Sequence, residues 1–467
     1  MSEEPDDRHD RLWYGAIIGY FLAQMVSRLL IGPALDLDEA EALFFGRDLA
    51  LGYGPQPPLY FWLQWLFLAL FGQGIPALAA LKALILGGAF VMIYRFLRAV
   101  LPPEGAGVAV LSLGLLPELV WEAQRTLTHT NLVFLISVLT FWALRRLMVR
   151  QRGQDYLIFG VVVGLGLLSK HNFAVLVLAI LAVTALHPRW RGRLSWRGLV
   201  LSGAVAAALV FPYALWLVQN PGIGTASLSK LAMRTDAAQA LFAGLTAMLV
   251  AALSLYGLAA VVLVPLILRH RAFLRRPWPD DLAIPAATAL GALAIVAVMI
   301  VVSGATSLKS RWLMPLGWPL VPAIVGAVWL GAGMHLQAAW RRGLQWGLPG
   351  VWAVVLLALP YASLENPGYR AARFDRLVAA LPADIPVVSA DIWALGNLAL
   401  LAPTREIHRA GAALPPGPVV ILAPAGNARE LGQRLGLHDL GPATQVTVTE
   451  GRRGRAYDLL SARREAD

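Results

Sequence analysis

The sequence predicts a polytopic α-helical membrane protein of about eleven spans, with interfacial helices outside the bilayer and a small C-terminal α/β domain. Three observations carry this. Of the 467 residues 58% are hydrophobic and only 14% charged, against roughly 25% charged in soluble chains. Apolar runs of about 20 residues, the length a bilayer demands, recur between residues 13 and 363. Beyond residue 363, short β-like and helical runs alternate over the remaining hundred or so residues. A soluble enzyme with ordinary cores is excluded. The formal charge of +11 does not come from residues 364–467, where 12 Arg face 11 acids without a single Lys. No basic tail or stripe remains for nucleic acid, so no nucleic-acid partner is expected. Zero cysteines exclude disulfides, thiol nucleophiles and Cys-ligated metal.

The spans are expected at 13–35, 75–97, 106–121, 128–148, 155–170, 172–187, 197–218, 238–268, 282–303, 312–334 and 346–363. The pair 155–170 and 172–187 is one long apolar run split by Ser169, Lys170 and His171. The first span follows an acidic head and lacks a small-residue cleavage site, so it reads as an uncleaved anchor. Arg side chains mark the orientation. One alternating set of loops carries eighteen of them: Arg8, Arg11; Arg95, Arg98; Arg145, Arg146, Arg150, Arg152; Arg189, Arg191, Arg193, Arg197; Arg269, Arg271, Arg275, Arg276; Arg341, Arg342. Basic loops stay cytoplasmic, so the N-terminus is expected inside, and residues 36–72 and 364–467 outside. Two domains follow, 1–363 in the membrane and 364–467 as an external, periplasmic α/β unit.

Between the first two spans, 36–52 has helical periodicity, Gly52-Tyr53-Gly54-Pro55-Gln56-Pro57-Pro58 makes a turn, and 59–71 is a short aromatic helix fit to lie in the interface. In the tail, 385–389, 419–422, 445–448 and 456–460 read as β-like, and 392–401 and 428–435 as helical. No phosphate loop, metal cluster or nucleophile elbow stands out there, which favours docking or acceptor orientation.

The sharpest chemical feature is Asp36-Leu37-Asp38-Glu39-Ala40-Glu41. Structurally, Asp38 would cap a helix, with Glu39 and Glu41 favouring its positive end. Chemically, Asp38 would take a proton from an acceptor hydroxyl while Glu39 or Glu41 holds that hydroxyl or a metal. The two readings are compatible. A second signal is lysine usage: beside 35 Arg there are four Lys, at 82, 170, 230 and 309, all at expected external helix ends or loops. Such residues can simply snorkel to headgroups. They can also form a cationic pocket for a phosphate, and there Lys170 beside His171, the pair Lys309 and Arg311, and Arg28 are the candidates. Glu118, Glu122, Arg125 and His129 cluster at the third external turn, where solvated charges are the ordinary reading. Should the protein use a divalent cation such as Mg or Mn, Glu122 and His129 are nearest to hand.

In their order these elements resemble the GT-C membrane glycosyltransferases. More narrowly, they resemble the protein O-mannosyltransferase branch with its bacterial aminoarabinose and galacturonic acid transferases acting on lipid A. The resemblance rests on Asp38-Glu39 after a first span, on the turn reaching Pro57-Pro58, on Gly164-Leu165-Gly166-Leu167-Leu168-Ser169-Lys170, and on Lys309-Ser310-Arg311-Trp312-Leu313-Met314-Pro315. It spans residues 13 to about 335. Two departures stand out: Thr128-His129-Thr130-Asn131 replaces a Thr-Pro-Asp sequence, and Gln56 replaces a charged or imidazole side chain. The resemblance implies an inverting transfer of sugar from a polyprenyl-phosphate carrier to an acceptor hydroxyl at the outer face of a bacterial cytoplasmic membrane. Asp38 would act with Glu39 as the catalytic pair. Lys170, Lys309, Arg311 and Arg28 would bind donor phosphate, and Glu41, Tyr53, Gln56 and His171 would serve the acceptor or its loop. Membrane lipids would surround the spans. Two competing readings are a transporter or lipid flippase with an external cap, disfavoured because no two-half symmetry is visible, and a non-catalytic scaffold.

Overall fold

The computed structural model describes residues 7–226, 231–233, 236–269, 275–331, 334–365, 368–449 and 455–465. Lys230 and Arg271 lie outside the described residues. Helices occur in chain order at α1 Asp7–Leu30, α2 Leu37–Phe45, α3 Leu59–Phe71, α4 Ile75–Leu97, α5 Pro103–Leu111, α6 Ala123–Arg125, α7 His129–Arg150, α8 Gly153–Leu167, α9 Phe173–Leu186 and α10 Pro188–Arg191. They continue at α11 Trp196–Gln219, α12 Pro221–Ala226, α13 Ala237–Arg269, α14 Asp280–Ser303, α15 Ser310–Gly317, α16 Leu320–Gly331, α17 Met334–Glu365, α18 Phe374–Ala380, α19 Ile392–Leu401 and α20 Ala428–Arg434. Five of the described helices are long and apolar enough to cross a membrane, or up to seven if each of two bent pairs is one span. Their mean hydropathy reaches 2.5, yet only 17% of the α11 segment and 22% of α13 are buried within the protein. Apolar surface left outward on this scale belongs against lipid.

The third expected span is corrected. Residues 106–121 are not one rod: the chain bends by 87° between Pro103–Leu115 and Glu118–Arg125. Ser112–Leu115 tightens into a 3-10 turn, Pro117 precedes the break, and Glu118–Glu122 widens into a π-helix. Proline removes a backbone donor, and π-turns concentrate at functional sites. The tenth expected span is bent by 40° between α15 and α16.

The chain forms two compact units. The first comprises Met1–Gln24, Ala50–Tyr60 and Lys82–Leu357; the second comprises Met25–Leu49, Phe61–Leu81 and Ala358–Asp467. Within the first, several loop arginines are ion-paired: Arg98 with Asp10, Arg145 with Asp281, and Arg189 and Arg193 with Asp280. These pairs spare the helix ends an uncompensated run of like charge.

The second unit holds a five-stranded sheet of order β2-β1-β3-β5-β4, built from Val387–Ser389 (β1), Ile407–Arg409 (β2), Gly417–Pro424 (β3), Ala443–Thr449 (β4) and Arg455–Arg464 (β5). β1 runs parallel to β2 and β3, while β5 runs antiparallel to β3 and β4. β2 and α18 add two elements to those read from the sequence. β1 is buried along its whole length, as expected of a central parallel strand with continuous Val-Val patterning. Val388, Val419, Ile421, Leu431 and Leu460 form the core beneath it. α19 packs against α2, and Gly396 allows the approach: a Cβ there would stand 2.3 Å from the Ala40 carbonyl oxygen.

Candidate functional site

In the second unit the carboxylate cluster is organised by α2. Its N-cap is Asp36, not Asp38: the Asp36 side chain accepts from the helix backbone, and Glu39 accepts from the Asp36 N–H at 3.1 Å. This is a reciprocal capping box, and the Asp-x-x-Glu spacing that announces it stands in the sequence. Glu39 is 2% exposed and meets Arg28 through both oxygens, Nε to Oε1 at 2.7 Å and Nη2 to Oε2 at 2.8 Å. Arg370 Nη2 donates to Oε1 at 3.1 Å. Burial and two guanidiniums make Glu39 an ion-pair anchor rather than a holder of acceptor or metal. Arg28 is engaged likewise. Besides Glu39 it donates to the Ile31 and Ala34 carbonyls and so clamps the turn after α1. Asp38 lies half-buried in the first turn of α2, and Glu41 half-buried one turn on.

In the first unit, residues far apart in sequence meet around the turn between α8 and α9. Leu168 accepts from the Leu59 N–H at 3.1 Å, which fixes the start of α3. Lys170 Nζ donates to Thr130 Oγ1 at 2.5 Å, and Asn172 Nδ2 donates to the Trp312 carbonyl at 2.9 Å. The two basic segments singled out in the sequence are thereby tied together across 140 positions. Arg311 is half-buried at the start of α15, and Lys309, exposed, is its N-cap residue. Cations at a helix N-terminus oppose its dipole, so helix stability does not explain them. Glu118 accepts the Ser310 hydroxyl and feels the charge of Arg311. Glu118, read as a solvated loop charge, is 9% exposed at the break after α5. Thr130, Asn172, Ser310 and Glu118 carried no spacing signal, since each is placed by contacts over 40 or more positions.

His171 continues this cluster. Its ring stacks on Tyr213, which stacks on Trp216, with centroids 6.3 and 6.1 Å apart. Crowding by protein atoms draws the His171 pKa below its usual value, so the imidazole is neutral at neutral pH. Trp216 in turn packs on Gly52, where a Cβ would stand 2.2 Å from the ring; this contact is why the turn begins with glycine. Tyr53 accepts the Ala50 N–H at 2.9 Å through its hydroxyl, so it braces the turn, and Gln56 is half-buried further along it.

Glu122 and His129, the side chains nearest to hand for a divalent cation, each have other neighbours. Glu122 is bridged to Arg125 at 3.3 Å, and the His129 ring lies against Tyr60 at 5.1 Å. Among the described residues no three His, Asp or Glu side chains converge to hold an ion.

A helical membrane protein with a carboxylate-bearing helix after its first segment, and a basic cluster built from distant turns, belongs to the class of GT-C membrane glycosyltransferases. Residues 55–216 match the family described as dolichyl-phosphate-mannose-protein mannosyltransferase. The lipopolysaccharide core galacturonosyltransferase RgtA of Rhizobium johnstonii is 31% identical over 405 residues, covering 83% of this chain and 80% of the relative. RgtB of the same organism is 34% identical, covering 76% and 72%. The crystal structure of ArnT from Cupriavidus metallidurans bound to undecaprenyl phosphate superposes with a TM-score of 0.64 at 14% identity, covering 96% of this chain and 97% of that one. The chain belongs to the family of these galacturonosyltransferases, and it is a glycosyltransferase. Membership sets aside the transporter and scaffold readings.

Proposed function

We propose that the protein transfers galacturonic acid from a polyprenyl-phosphate carrier to a hydroxyl of a lipopolysaccharide core at the outer face of the cytoplasmic membrane. The sugar and acceptor follow from the names of RgtA and RgtB, both more than 30% identical. The carrier follows from the lipid held by the ArnT structure that shares this fold. The observation that carries the chemistry is the division of labour on α2: Asp36 caps and Glu39 anchors, and Asp38 between them is assigned the base. It takes the acceptor's proton as the acceptor oxygen attacks the anomeric carbon opposite the phosphate. The bond to phosphate breaks with its electron pair, and configuration inverts. Lys170 and Arg311 stabilise the departing phosphate, with Lys309 at its edge. Phosphate is already a good leaving group, so no general acid is required. The apolar faces of α11 and α13 meet membrane lipid.

Comparing envelope glycolipids by mass spectrometry with and without the protein tests the reading. Loss of a uronic acid increment from the core is expected, and an unchanged core overturns it. For the donor pocket, Lys170→Ala and Arg311→Ala each remove a charge-assisted contact of about 1.5 to 3 kcal/mol. Each is expected to raise the donor KM roughly tenfold or more and to weaken donor use more than folding. An unchanged donor KM in both variants assigns these side chains to snorkelling.

Orientation is tested by labelling. The chain has no Cys, so single replacements give a clean signal. Ser461→Cys, exposed on β5, is expected to react with an impermeant thiol reagent in spheroplasts. Gly192→Cys, in open space beside the loop arginines, is expected to react only after lysis. The reverse pattern inverts the topology and removes the proposed site from the outer face.

A further inference from the structure

The tail grips the helix that carries Asp38 more tightly than charge balance requires, and every contact in that grip lies within the second unit. α2 has nine residues, too few to keep its geometry unaided in water. Arg28 already meets both oxygens of Glu39, so one guanidinium neutralises that carboxylate. A second is supplied by the C-terminal domain: Arg370 donates to Glu39, and its backbone carbonyl accepts the Ala34 N–H at 3.3 Å. On α19, Asn397 Oδ1 accepts the Leu35 N–H at 2.8 Å, and Trp393 Nε1 donates to the Leu35 carbonyl at 2.7 Å. Both backbone polar groups of Leu35 are therefore fixed one residue before the cap. The Gly396 backbone closes on Ala40. Positions 34, 35, 39 and 40 are held, and Asp38 lies within that bracket.

We propose that the C-terminal domain is the positioning element for the reacting carboxylate, and that Arg370 is a positioning residue acting on Asp38 through the Glu39 it shares with Arg28. The proposal rests on the reading of Asp38 as base. Misplacing a reacting group by 1 Å can cost about a hundredfold in rate, so a link that leaves the fold intact can still govern turnover.

The test uses the full chain in detergent or proteoliposomes. Arg370→Met is expected to lower kcat by about ten- to a hundredfold with donor KM unchanged. Arg370→Lys should recover only part of it, because a point charge does not reproduce the guanidinium fork. Amide exchange in residues 37–45 should accelerate while that of β3 and β5 stays as in the parent. Wild-type kcat in Arg370→Met overturns the proposal, as does a loss of turnover that merely tracks loss of protection across the whole sheet. Should Arg370→Met fail to fold, Asn397→Ala carries the same test, since it cuts the Leu35 contact without touching the ion pair. Asp38→Asn is measured alongside. If it is inactive while Arg370→Met is normal, positioning alone fails; if it is active, the assignment of the base fails and positioning with it.

Discussion

Asp38→Asn is expected to lower turnover by about 10² to 10⁴ while leaving the cap of α2 in place. Asn keeps the shape of Asp but has no carboxylate to take a proton. The helix is not endangered, because the cap belongs to Asp36 and the N3 partner to Glu39. The contrasting change is Asp36→Ala. It removes the capping side chain and should cost about 0.5 to 2 kcal/mol of stability while keeping most of the turnover. Single-turnover rates and unfolding midpoints on the same purified proteins separate the two effects. Near-wild-type transfer by Asp38→Asn moves the base to another residue. A comparable rate loss in Asp36→Ala makes the cap, not proton transfer, the source of the effect.

Arg28→Met is expected to have the largest effect on stability, a loss of about 3 to 5 kcal/mol. The pair it breaks is buried, with side-chain exposures of 10% for Arg28 and 2% for Glu39. The change also strips donors from the Ile31 and Ala34 carbonyls at the end of α1. Glu39→Gln in the same chain should not recover the loss, since Arg370 then becomes the buried charge without its carboxylate. A stable Arg28→Met protein with a raised donor KM overturns this assignment and returns Arg28 to the phosphate, where the sequence had placed it.

By itself the sequence determined the membrane class, most helices apart from the break within 106–121, the mixed helix and strand character of the tail and, through resemblance, the family. These follow from local quantities: apolar run length, Arg placement on alternating loops, and short ordered motifs such as Asp38-Glu39 and Leu168-Ser169-Lys170. Run lengths and motifs are written within about twenty consecutive residues and the Arg pattern in the order of the loops, so no folding is needed to read them. The Asp36-x-x-Glu39 box was equally local and could have named the cap. Only the tertiary structure decided what the charges do. In the sequence Glu39, Arg28 and Glu118 read as a catalytic partner, a phosphate-binding cation and a loop charge. Burial and partners made them an ion-pair anchor, a turn clamp and the carboxylate that meets Ser310. The reason is physical: a charge far from water is governed by the partner that compensates it, and here those partners lie from 11 to 331 positions away. The pairing of Arg370 with Glu39 spans the longest of these distances, and no spacing in the sequence foretells it.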